Sequence, residues 1–504
     1  MRFMNNQTIQ TFDLLIGGKN TPARGGECFD AINPSTGEVI ARISDASTED
    51  VYQAVAAART NFDVQWSQGK IDFQKRTRDL RAVAQLIREH AKELAELESL
   101  DCGKTIKQTT FIDIPTAADT FEHFSNVIDF LNNELIAVTS PSLSMIEREP
   151  VGVVAAIIPW NYPLIMAAWK IAPALLCGNN VILKPSPLAS LSIIRLGQLI
   201  AQAGLFDGAL SILTSSRAQA GAELVAHAAV DMVTFSGGTE TGKEVMRLAS
   251  STTKKLVLEL GGKSANIVCA DCDMDAALGG ALSAIFMNQG QMCAAGSRLL
   301  VEDPIYDSFV SKLVERAKTL HIGNAIDFQT EFGPVISRQH RDQLLAFIER
   351  GEKEGATLLC GGKVPDLDDD SIAQGFYIEP TVFTDVDNAM TIAQEEAFGP
   401  ILSVIRFKTE EQAVAIANDS KYGLAAMVWS KDMDKANRIA RRLRCGTVWI
   451  NTYGNFANET PFGGYKQSGF GRELGKEGLL EFTNSKHVCI DQTPGGKPLV
   501  SAWY

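Results

Sequence analysis

The chain has 504 residues, of which 45% are hydrophobic and 21% are charged, so it is too long for a single core and indicates two or more globular domains. A formal net charge of −13 argues against a nucleic-acid-binding surface, which would be basic. No apolar run approaches the roughly 20 residues that span a bilayer, and Met1–Gln10 is too polar for a signal peptide. Nine scattered cysteines are typical of a reducing compartment. We therefore expect a cytoplasmic protein that binds neither membranes nor nucleic acid.

The first predicted elements are amphipathic helices over Glu49–Arg59 and Ile71–Asp101. From Val151 onward, short β-rich apolar runs alternate with helical segments. The predicted strands are Val151–Ile158, Asn180–Leu183, Leu210–Leu213, Met232–Phe235 and Leu256–Leu260. The predicted helices between them are Leu164–Leu176, Ser190–Ala203 and Glu240–Ala249. This alternation predicts an α/β fold with a parallel sheet and right-handed crossovers.

A second α/β series begins after Gly261 and Gly262, where we expect a domain boundary. Its predicted strands are Leu299–Glu302, Ile378–Phe383, Ile401–Phe407, Leu424–Trp429 and Thr447–Ile450. Its helices include Ile305–Thr319, Asp342–Glu354 and Asp434–Leu443. Two further segments, Ile136–Glu149 and His487–Tyr504, resemble β-ribbons with apolar residues on exposed edges. Such an edge is a template for pairing with another chain.

Two short segments carry the predicted chemistry. Cys293 lies among small residues in Asn288–Arg298, and Glu259 lies 34 positions earlier in the glycine-bracketed Leu258–Lys263. A covalent thiol nucleophile needs a base within reach, and glycines let the backbone approach a ligand closely. Together the two segments resemble the nucleophile and general-base signatures of the aldehyde dehydrogenase superfamily. Five further segments follow that family's order, from about residue 15 to about residue 490: Pro159–Pro163, Lys184–Ser186, Phe235–Glu240, Glu395–Pro400 and Pro461–Lys466.

The resemblance implies a fold with two Rossmann-type parallel-sheet domains and a β-ribbon oligomerisation arm. We expect the cofactor-binding domain over residues 1–130 and 151–261, and the catalytic domain over residues 262–475. The arm would comprise residues 131–150 and 476–504. A homo-oligomer, either a dimer or a tetramer, follows from this arrangement.

The resemblance also implies the reaction, which is the NAD(P)-dependent oxidation of an aldehyde to its acid. Cys293 would add to the carbonyl and form a thiohemiacetal, whose collapse expels a hydride and leaves a thioester. Glu259 would activate the thiol and then the water that hydrolyses the thioester. Asn161 and the backbone N–H of Cys293 would stabilise the oxyanion.

By the same resemblance, the expected cofactor contacts come from the ends of four predicted strands and from one later loop. They are Ile157, Pro159, Trp160, Lys184, Ser186, Pro187, Gly237, Gly238, Leu260, Glu396 and Phe398. Pro187 stands where many NAD-preferring relatives place a glutamate that would repel a 2′-phosphate. Arg217, in Ser215-Ser216-Arg217, is a candidate phosphate ligand or a solvated residue at a helix start. We therefore predict that both NAD and NADP are used.

The expected substrate contacts are aromatic: Tyr162, Trp169, Phe456 and Phe462. Aromatic walls suit aliphatic, aromatic and quaternary-ammonium aldehydes, the last through cation–π attraction. Glu459 could bind an amino group or form a rim salt bridge, and Asp113 matches one acidic position of the aminoaldehyde dehydrogenases. Met287 stands where those relatives often have an aromatic residue. The sequence thus favours betaine aldehyde or an aminoaldehyde only slightly over broad aldehyde specificity.

Two other classes of function remain as alternatives. A thiol hydrolase or acyltransferase would use Cys293 and Glu259, but no histidine pairs with the thiol in sequence. A CoA-acylating relative is disfavoured by the presence of Glu259. No metal is expected, because Cys269 and Cys272 lack a second ligand pair.

Overall fold

A computed structural model describes residues 9–69 and 71–495. The first half of the chain surrounds an eight-stranded sheet, and its central strands are buried on both faces, as in Met232–Ser236. In spatial order the strands are Gly469–Phe470, Lys255–Glu259, Met232–Ser236, Val153–Ile157, Asn180–Lys184, Leu210–Ile212, Leu14–Ile16 and Lys19–Thr21. The five from Lys255–Glu259 to Leu210–Ile212 are parallel, and the flanking pairings are antiparallel. Continuous apolar strands of this kind require helices on both faces.

The helices over this sheet are Thr48–Ser67, Pro163–Leu176, Leu191–Gln202, Ala218–Ala226 and Thr239–Ala249. The sequence supplies clear start signals for the first two. Ser47 and Asp50 form a reciprocal capping box on the first, and Pro163 occupies the first turn of the second. A small sheet of Thr11–Phe12, Val39–Ser44 and Cys28–Ile32 lies beside them.

The prediction of one continuous helix over Ile71–Asp101 was wrong. It is two helices, Phe73–Glu89 and Ala91–Cys102, separated at His90, whose ψ of 16° is outside the helical range. Three further helical segments follow, and the middle one is a π-helical turn: Ile106–Gln108, Thr109–Asp113 and Ile114–Asn126. Two residues of these segments, Ile112 and Thr116, line a cavity at the edge of the first sheet.

The second sheet has seven strands. In spatial order they are Thr357–Cys360, Thr381–Thr384, Ile401–Phe407, Arg298–Glu302, Ala265–Val268, Ala425–Trp429 and Thr447–Ile450. All neighbours are parallel except the first pair. Its helices are Met274–Phe286, Tyr306–Lys318, Arg338–Lys353, Thr391–Gln394, Glu410–Asn418 and Met433–Ala440. The helix Gly475–Glu481 instead contacts Pro163–Leu176 and the strand Thr483–Asp491. The central strand Ala265–Val268 was not predicted, and the predicted Ile378–Phe383 is shifted to Thr381–Thr384.

A third, antiparallel sheet consists of Glu134–Ile136, Ser142–Pro150 and Thr483–Asp491. The last two pair over nine residues, from Thr483 opposite Pro150 to Asp491 opposite Ser142. The predicted ribbon His487–Tyr504 therefore starts earlier than expected, and its residues 496–504 lie outside the described part. The predicted α/β fold with two parallel sheets and an added β-ribbon is confirmed. In the described residues, no helix combines the length and apolarity that a membrane crossing requires.

Candidate active site

Three parallel strands of the first sheet end at the same level. Ile157 pairs with Phe235, and Ser236 pairs with Glu259, so the loops after these strands emerge side by side. After Val153–Ile157 the next two parallel strands are added on one side of it, Asn180–Lys184 and then Leu210–Ile212. The following strand, Met232–Ser236, is added on its other side. Such a switch point is where open α/β sheets bind ligands.

A cavity of about 340 Å³ opens at this edge. Fourteen of the residues predicted from the sequence line it: Pro159, Trp160, Asn161, Tyr162, Trp169, Gly237, Gly238, Glu259, Leu260, Cys293, Glu396, Phe398, Phe456 and Phe462. The remaining lining residues are Ile112, Thr116, Ile165, Met166, Gly261, Met287, Met292 and Gly454. Among these, Gly261 and Met287 had been named from the sequence. The predicted catalytic and substrate residues thus share one space.

The loop before Cys293 has an unusual backbone. Asn288, Gln289 and Gly290 have φ values of 49°, 54° and 70° in succession, a conformation that only glycine adopts without strain. A Cβ at Gly290 would lie 2.2 Å from the carbonyl oxygen of Gly399. Asn161 fixes the same loop, because its Nδ2 donates to the carbonyl oxygen of Gln291 at 2.9 Å. One N–H of that amide remains for an oxyanion.

Gly261 and Gly262 let the two halves of the site approach each other. A Cβ at Gly262 would lie 2.3 Å from the carbonyl oxygen of Cys293, and one at Gly261 would lie 2.1 Å from Oε2 of Glu396. The N–H of Gly262 donates to Oε1 of Glu396 at 2.9 Å. These contacts connect the base segment to both the nucleophile and Glu396.

Burial governs the ionisation of the reacting groups. It raises the pKa of Glu259 to about 8, with the carboxylate of Glu473 adding to the effect. Burial and the carboxylate of Glu259 raise the pKa of the Cys293 thiol well above its usual range. Burial also raises the pKa of Glu396 to about 7. The thiol is therefore protonated at neutral pH, and it needs the neighbouring Glu259 as its base.

A buried ion pair behind Glu259 was missed from the sequence. Lys170 lies in the apolar helix Pro163–Leu176, and it pairs with Glu473, 303 residues away. Its Nζ also donates to Oγ1 of Thr234 at 3.0 Å. The signal in the sequence was a single lysine within an otherwise apolar helix, since lysine is almost never fully buried without a partner.

Aromatic rings form part of the cavity wall. The ring centroids of Phe456 and Phe462 are 5.2 Å apart, and those of Trp169 and Phe462 are 5.5 Å apart, both edge to face. Edge-to-face packing stabilises the cluster and fixes the orientation of each ring. The hydroxyl of Tyr162 accepts from Nε2 of Gln108 at 3.2 Å.

The two acidic residues considered for substrate binding lie elsewhere. Asp113 is fully buried and forms an ion pair with Lys104, whose Nζ lies 3.8 Å from the centroid of the Tyr162 ring. Glu459 is exposed and is 3.7 Å from Nδ1 of His123. Neither lines the cavity. Asp113 therefore does not present its carboxylate to the cavity, because it pairs with Lys104 inside the protein, a contact that the sequence does not show.

The remaining predicted cofactor residues lie beside the cavity at the next strand. Ile157 pairs with Lys184 in the sheet, and Nζ of Lys184 donates to the carbonyl oxygen of Ser215 at 3.4 Å. Burial lowers the pKa of Lys184 to about 8. Ser186 accepts from the N–H of Leu188 at 3.3 Å, and Pro187 follows it. This edge is continuous with the glycine loop but outside the cavity.

The residues present fit a dinucleotide. Gly237 and Gly238 precede the helix Thr239–Ala249, whose N-terminus favours phosphate. A Cβ at Gly238 would meet nothing within 4 Å, so the loop leaves open space at this point. Glu396 and Phe398 lie across the crevice from this loop, at the cavity.

One group of potential metal ligands lies away from the cavity. Cys269, Asp271 and Glu302 place ligand atoms within 4.8 Å of one another. The ammonium of Lys435 is 3.0 Å from Glu302 and 3.6 Å from Asp271. The lysine therefore already supplies a cation to these carboxylates.

Comparisons with known proteins agree with this geometry. A sequence model described as the aldehyde dehydrogenase family matches residues 21–488. The chain is 46% identical over 483 residues to a betaine aldehyde dehydrogenase of Bacillus subtilis (strain 168), covering 95% of this chain and 98% of that protein. A betaine aldehyde dehydrogenase from Staphylococcus aureus, solved in complex with NAD+, has a TM-score of 0.93 at 42% identity, covering 98% of this chain and 96% of its own. A point mutant of that enzyme with NAD+ and a BME-modified cysteine also gives a TM-score of 0.93 at 42% identity, covering 98% of this chain and 99% of its own. The resemblance inferred from the sequence is confirmed.

Proposed function

The chain belongs to the aldehyde dehydrogenase family, and from that premise we propose that it oxidises betaine aldehyde to the carboxylic acid with NAD. The observation that carries the proposal is the position of Cys293. Its thiol lies beside the buried carboxylate of Glu259, between a glycine-lined crevice and an aromatic cavity. Such a position lets one sulfur meet an aldehyde on one side and a hydride acceptor on the other.

The chain's own residues would divide the chemistry as follows. Glu259 takes the thiol proton, and the Cys293 thiolate attacks the carbonyl carbon. The free N–H of the Asn161 amide donates to the developing oxyanion. When bound, NAD accepts the hydride. Once Glu259 has passed the thiol proton to solvent, it removes a proton from the water that attacks the thioester, and the acid leaves as the Cys293 thiolate is displaced. The ion pair of Lys170 and Glu473 behind Glu259 influences its charge.

The wall of the cavity supports a quaternary-ammonium substrate. Trp169, Phe456 and Phe462 line the cavity and pack against one another, and the face of an aromatic ring attracts a desolvated cation. The carboxylates in the described lining are Glu259 and Glu396, both part of the reacting centre. The two betaine aldehyde dehydrogenases named above support the same choice. A broad aldehyde dehydrogenase is the second candidate, since the same rings accept neutral aldehydes.

A thiol hydrolase is a weaker reading of the same site. Cys-dependent hydrolases pair the thiol with histidine, and the described lining of the cavity contains none. The crevice with Gly237 and Gly238 would also have no role in simple hydrolysis.

We infer that NADP is accepted as well as NAD, because Pro187 supplies no carboxylate against a 2′-phosphate. Homo-oligomerisation is supported by the exposed apolar side chains of the third sheet and its turn, Leu135, Ile136, Val138 and Ile490. The nine cysteines are free, which supports a reducing cytosol. Dimer and tetramer remain alternatives.

The test is cofactor reduction followed by absorbance, with NAD and NADP, across betaine aldehyde, an aminoaldehyde, hexanal and benzaldehyde. We expect the highest kcat/KM with betaine aldehyde. Equal values for all four would favour the broad enzyme, and no reduction with any would refute dehydrogenase activity. Cys293→Ala should abolish reduction while retaining NAD binding, whereas Cys489→Ala, which removes an exposed thiol, should retain both.

A further inference from the structure

Arg217, at the adenosine end of the crevice, is not a free cation. Its guanidinium forms an ion pair with Glu27, and its Nε lies 3.5 Å from Oδ2 of Asp45. The side chains of Arg217 and Glu27 are 41% and 61% exposed. Both are therefore open to a ligand arriving from solvent.

The location of this ion pair follows from the sheet. In doubly wound folds, the strand after the switch-point strand carries the group that reads the ribose 2′ position. Here that strand is Asn180–Lys184, and the segment after it offers Lys184, Ser186 and Pro187. Nζ of Lys184 donates to the carbonyl oxygen of Ser215, and the N–H of Arg217 donates to Oγ of the same serine at 3.2 Å. Lys184 and Arg217 thus flank one residue.

The carboxylates of Asp45 and Glu27, which both face Arg217, differ in the number of hydrogen bonds that they accept within the protein. Asp45 is mostly buried, and it accepts hydrogen bonds from Oγ of Ser215 at 2.8 Å and from the N–H and Oγ of Ser216 at 3.0 and 2.6 Å. It therefore belongs to the loop structure. Glu27 is held next to it by its backbone, whose carbonyl oxygen accepts from the N–H of Asp45 at 2.9 Å. Its exposed side chain is free to exchange Arg217 for water.

We propose that Glu27 is a specificity-determining residue that competes with the 2′-phosphate of NADP for the Arg217 guanidinium. The inference rests on the proposed use of NAD and NADP. Lys184 and Arg217 supply two positive charges, and Asp45 and Glu27 supply two negative ones, so the cluster is formally neutral. A neutral cluster accepts the 2′-hydroxyl of NAD without penalty. A 2′-phosphate binds only after Glu27 gives up Arg217, which forms the stronger, bidentate pair with phosphate.

The competition predicts opposite effects for the two partners. Removing the charge of Glu27 should tighten binding of a 2′-phosphate by about two- to fivefold, the range that an exposed ion pair supplies. Removing the guanidinium of Arg217 should weaken it by about tenfold, as expected for a lost charge-assisted hydrogen bond. Ligands without a 2′-phosphate should bind equally in all variants.

The experiment is calorimetric titration with 2′,5′-ADP and with 5′-AMP. The proteins are the unaltered enzyme, Glu27→Gln, Arg217→Gln and the double variant, with Glu38→Gln as the control for loss of an exposed carboxylate elsewhere. We expect Glu27→Gln to raise the affinity for 2′,5′-ADP and Arg217→Gln to lower it, with no change in the affinity for 5′-AMP in either variant. Glu27→Gln should have no effect on 2′,5′-ADP binding in the Arg217→Gln background.

Equal affinity of the unaltered enzyme and Glu27→Gln for 2′,5′-ADP would overturn the proposal. A parallel change in 5′-AMP affinity, or the same change in Glu38→Gln, would also overturn it. These titrations need no turnover, so a failure of the proposed aldehyde oxidation appears separately as absent NAD reduction.

Discussion

The raised pKa of Glu259 predicts an activity that depends steeply on pH. The residue acts as a base only when ionised, and burial places its pKa at about 8. A carboxyl with a raised pKa loses its ionised form as the pH falls through that value. About a tenth of the sites are then active at pH 7 and about nine tenths at pH 9, so kcat should rise about tenfold between them.

The same reasoning gives a perturbation with a defined direction. Glu473 is the charged neighbour that most raises the pKa of Glu259, so Glu473→Gln should lower that pKa. Two unit charges inside a protein interact by on the order of 1–4 kcal/mol at an effective dielectric constant near 20, and a shift of one pKa unit corresponds to about 1.4 kcal/mol. The amide oxygen of the variant still accepts from Lys170, which limits the loss of stability.

The assay is the initial rate of NAD reduction at saturating NAD and aldehyde from pH 6 to 10 at constant ionic strength. Glu473→Gln should move the midpoint to lower pH by about one unit, and Glu259→Gln should remove the dependence together with most of the turnover. Glu477→Gln, an exposed carboxylate on the helix that follows Glu473, is the matched control. A midpoint that is unchanged or higher in Glu473→Gln, in a variant whose melting temperature shows that it is folded, would refute the assignment.

Three other substitutions test the remaining parts of the site. Asn161→Ala should lower kcat by about 100-fold because an oxyanion donor is lost; steady-state kinetics with an unchanged KM for NAD would agree, and a kcat within threefold would contradict it. Phe456→Leu should lower kcat/KM for betaine aldehyde by about fivefold more than for hexanal, since it removes one cation–π face; equal losses would point to packing alone. Pro187→Glu should reduce the NADP/NAD ratio of kcat/KM by about tenfold through like-charge repulsion, and an unchanged ratio would place the 2′ contact elsewhere.

The parallel sheets were predictable because their strands are buried, apolar and bounded by glycine or proline. Met232–Ser236 and Ile401–Phe407 are mostly apolar and mostly buried. The sequence predicted the second with its observed bounds and the first to within one residue. Ala265–Val268 was not predicted because the strand is only four residues long, which is too short for a periodic pattern to appear. Its place at the centre of the second sheet is a property of the tertiary fold.

The site residues that sequence identified are those near strand ends and glycines. Asn161, Gly237 and Glu259 come together because parallel strands end at a common edge, so local sequence carries the information. Lys170 and Glu473 are 303 residues apart, and only packing brings them together. The same applies to Glu27 and Arg217. The sequence left Arg217 as either a phosphate ligand or a solvated residue, and the structure shows that it pairs with Glu27.

The buried charges around the cavity bear on the choice between two cationic aldehydes. Lys104 lies behind the Tyr162 ring, but Asp113 pairs with it, and Glu98 lies 3.9 Å away. No net positive field from that cluster therefore opposes a cation in front of the ring. A primary ammonium needs hydrogen-bond acceptors when it leaves water, and the described lining supplies carboxylates only at the reacting centre. A trimethylammonium group donates no hydrogen bonds and needs only ring faces, so we expect betaine aldehyde to be preferred over an aminoaldehyde of similar length.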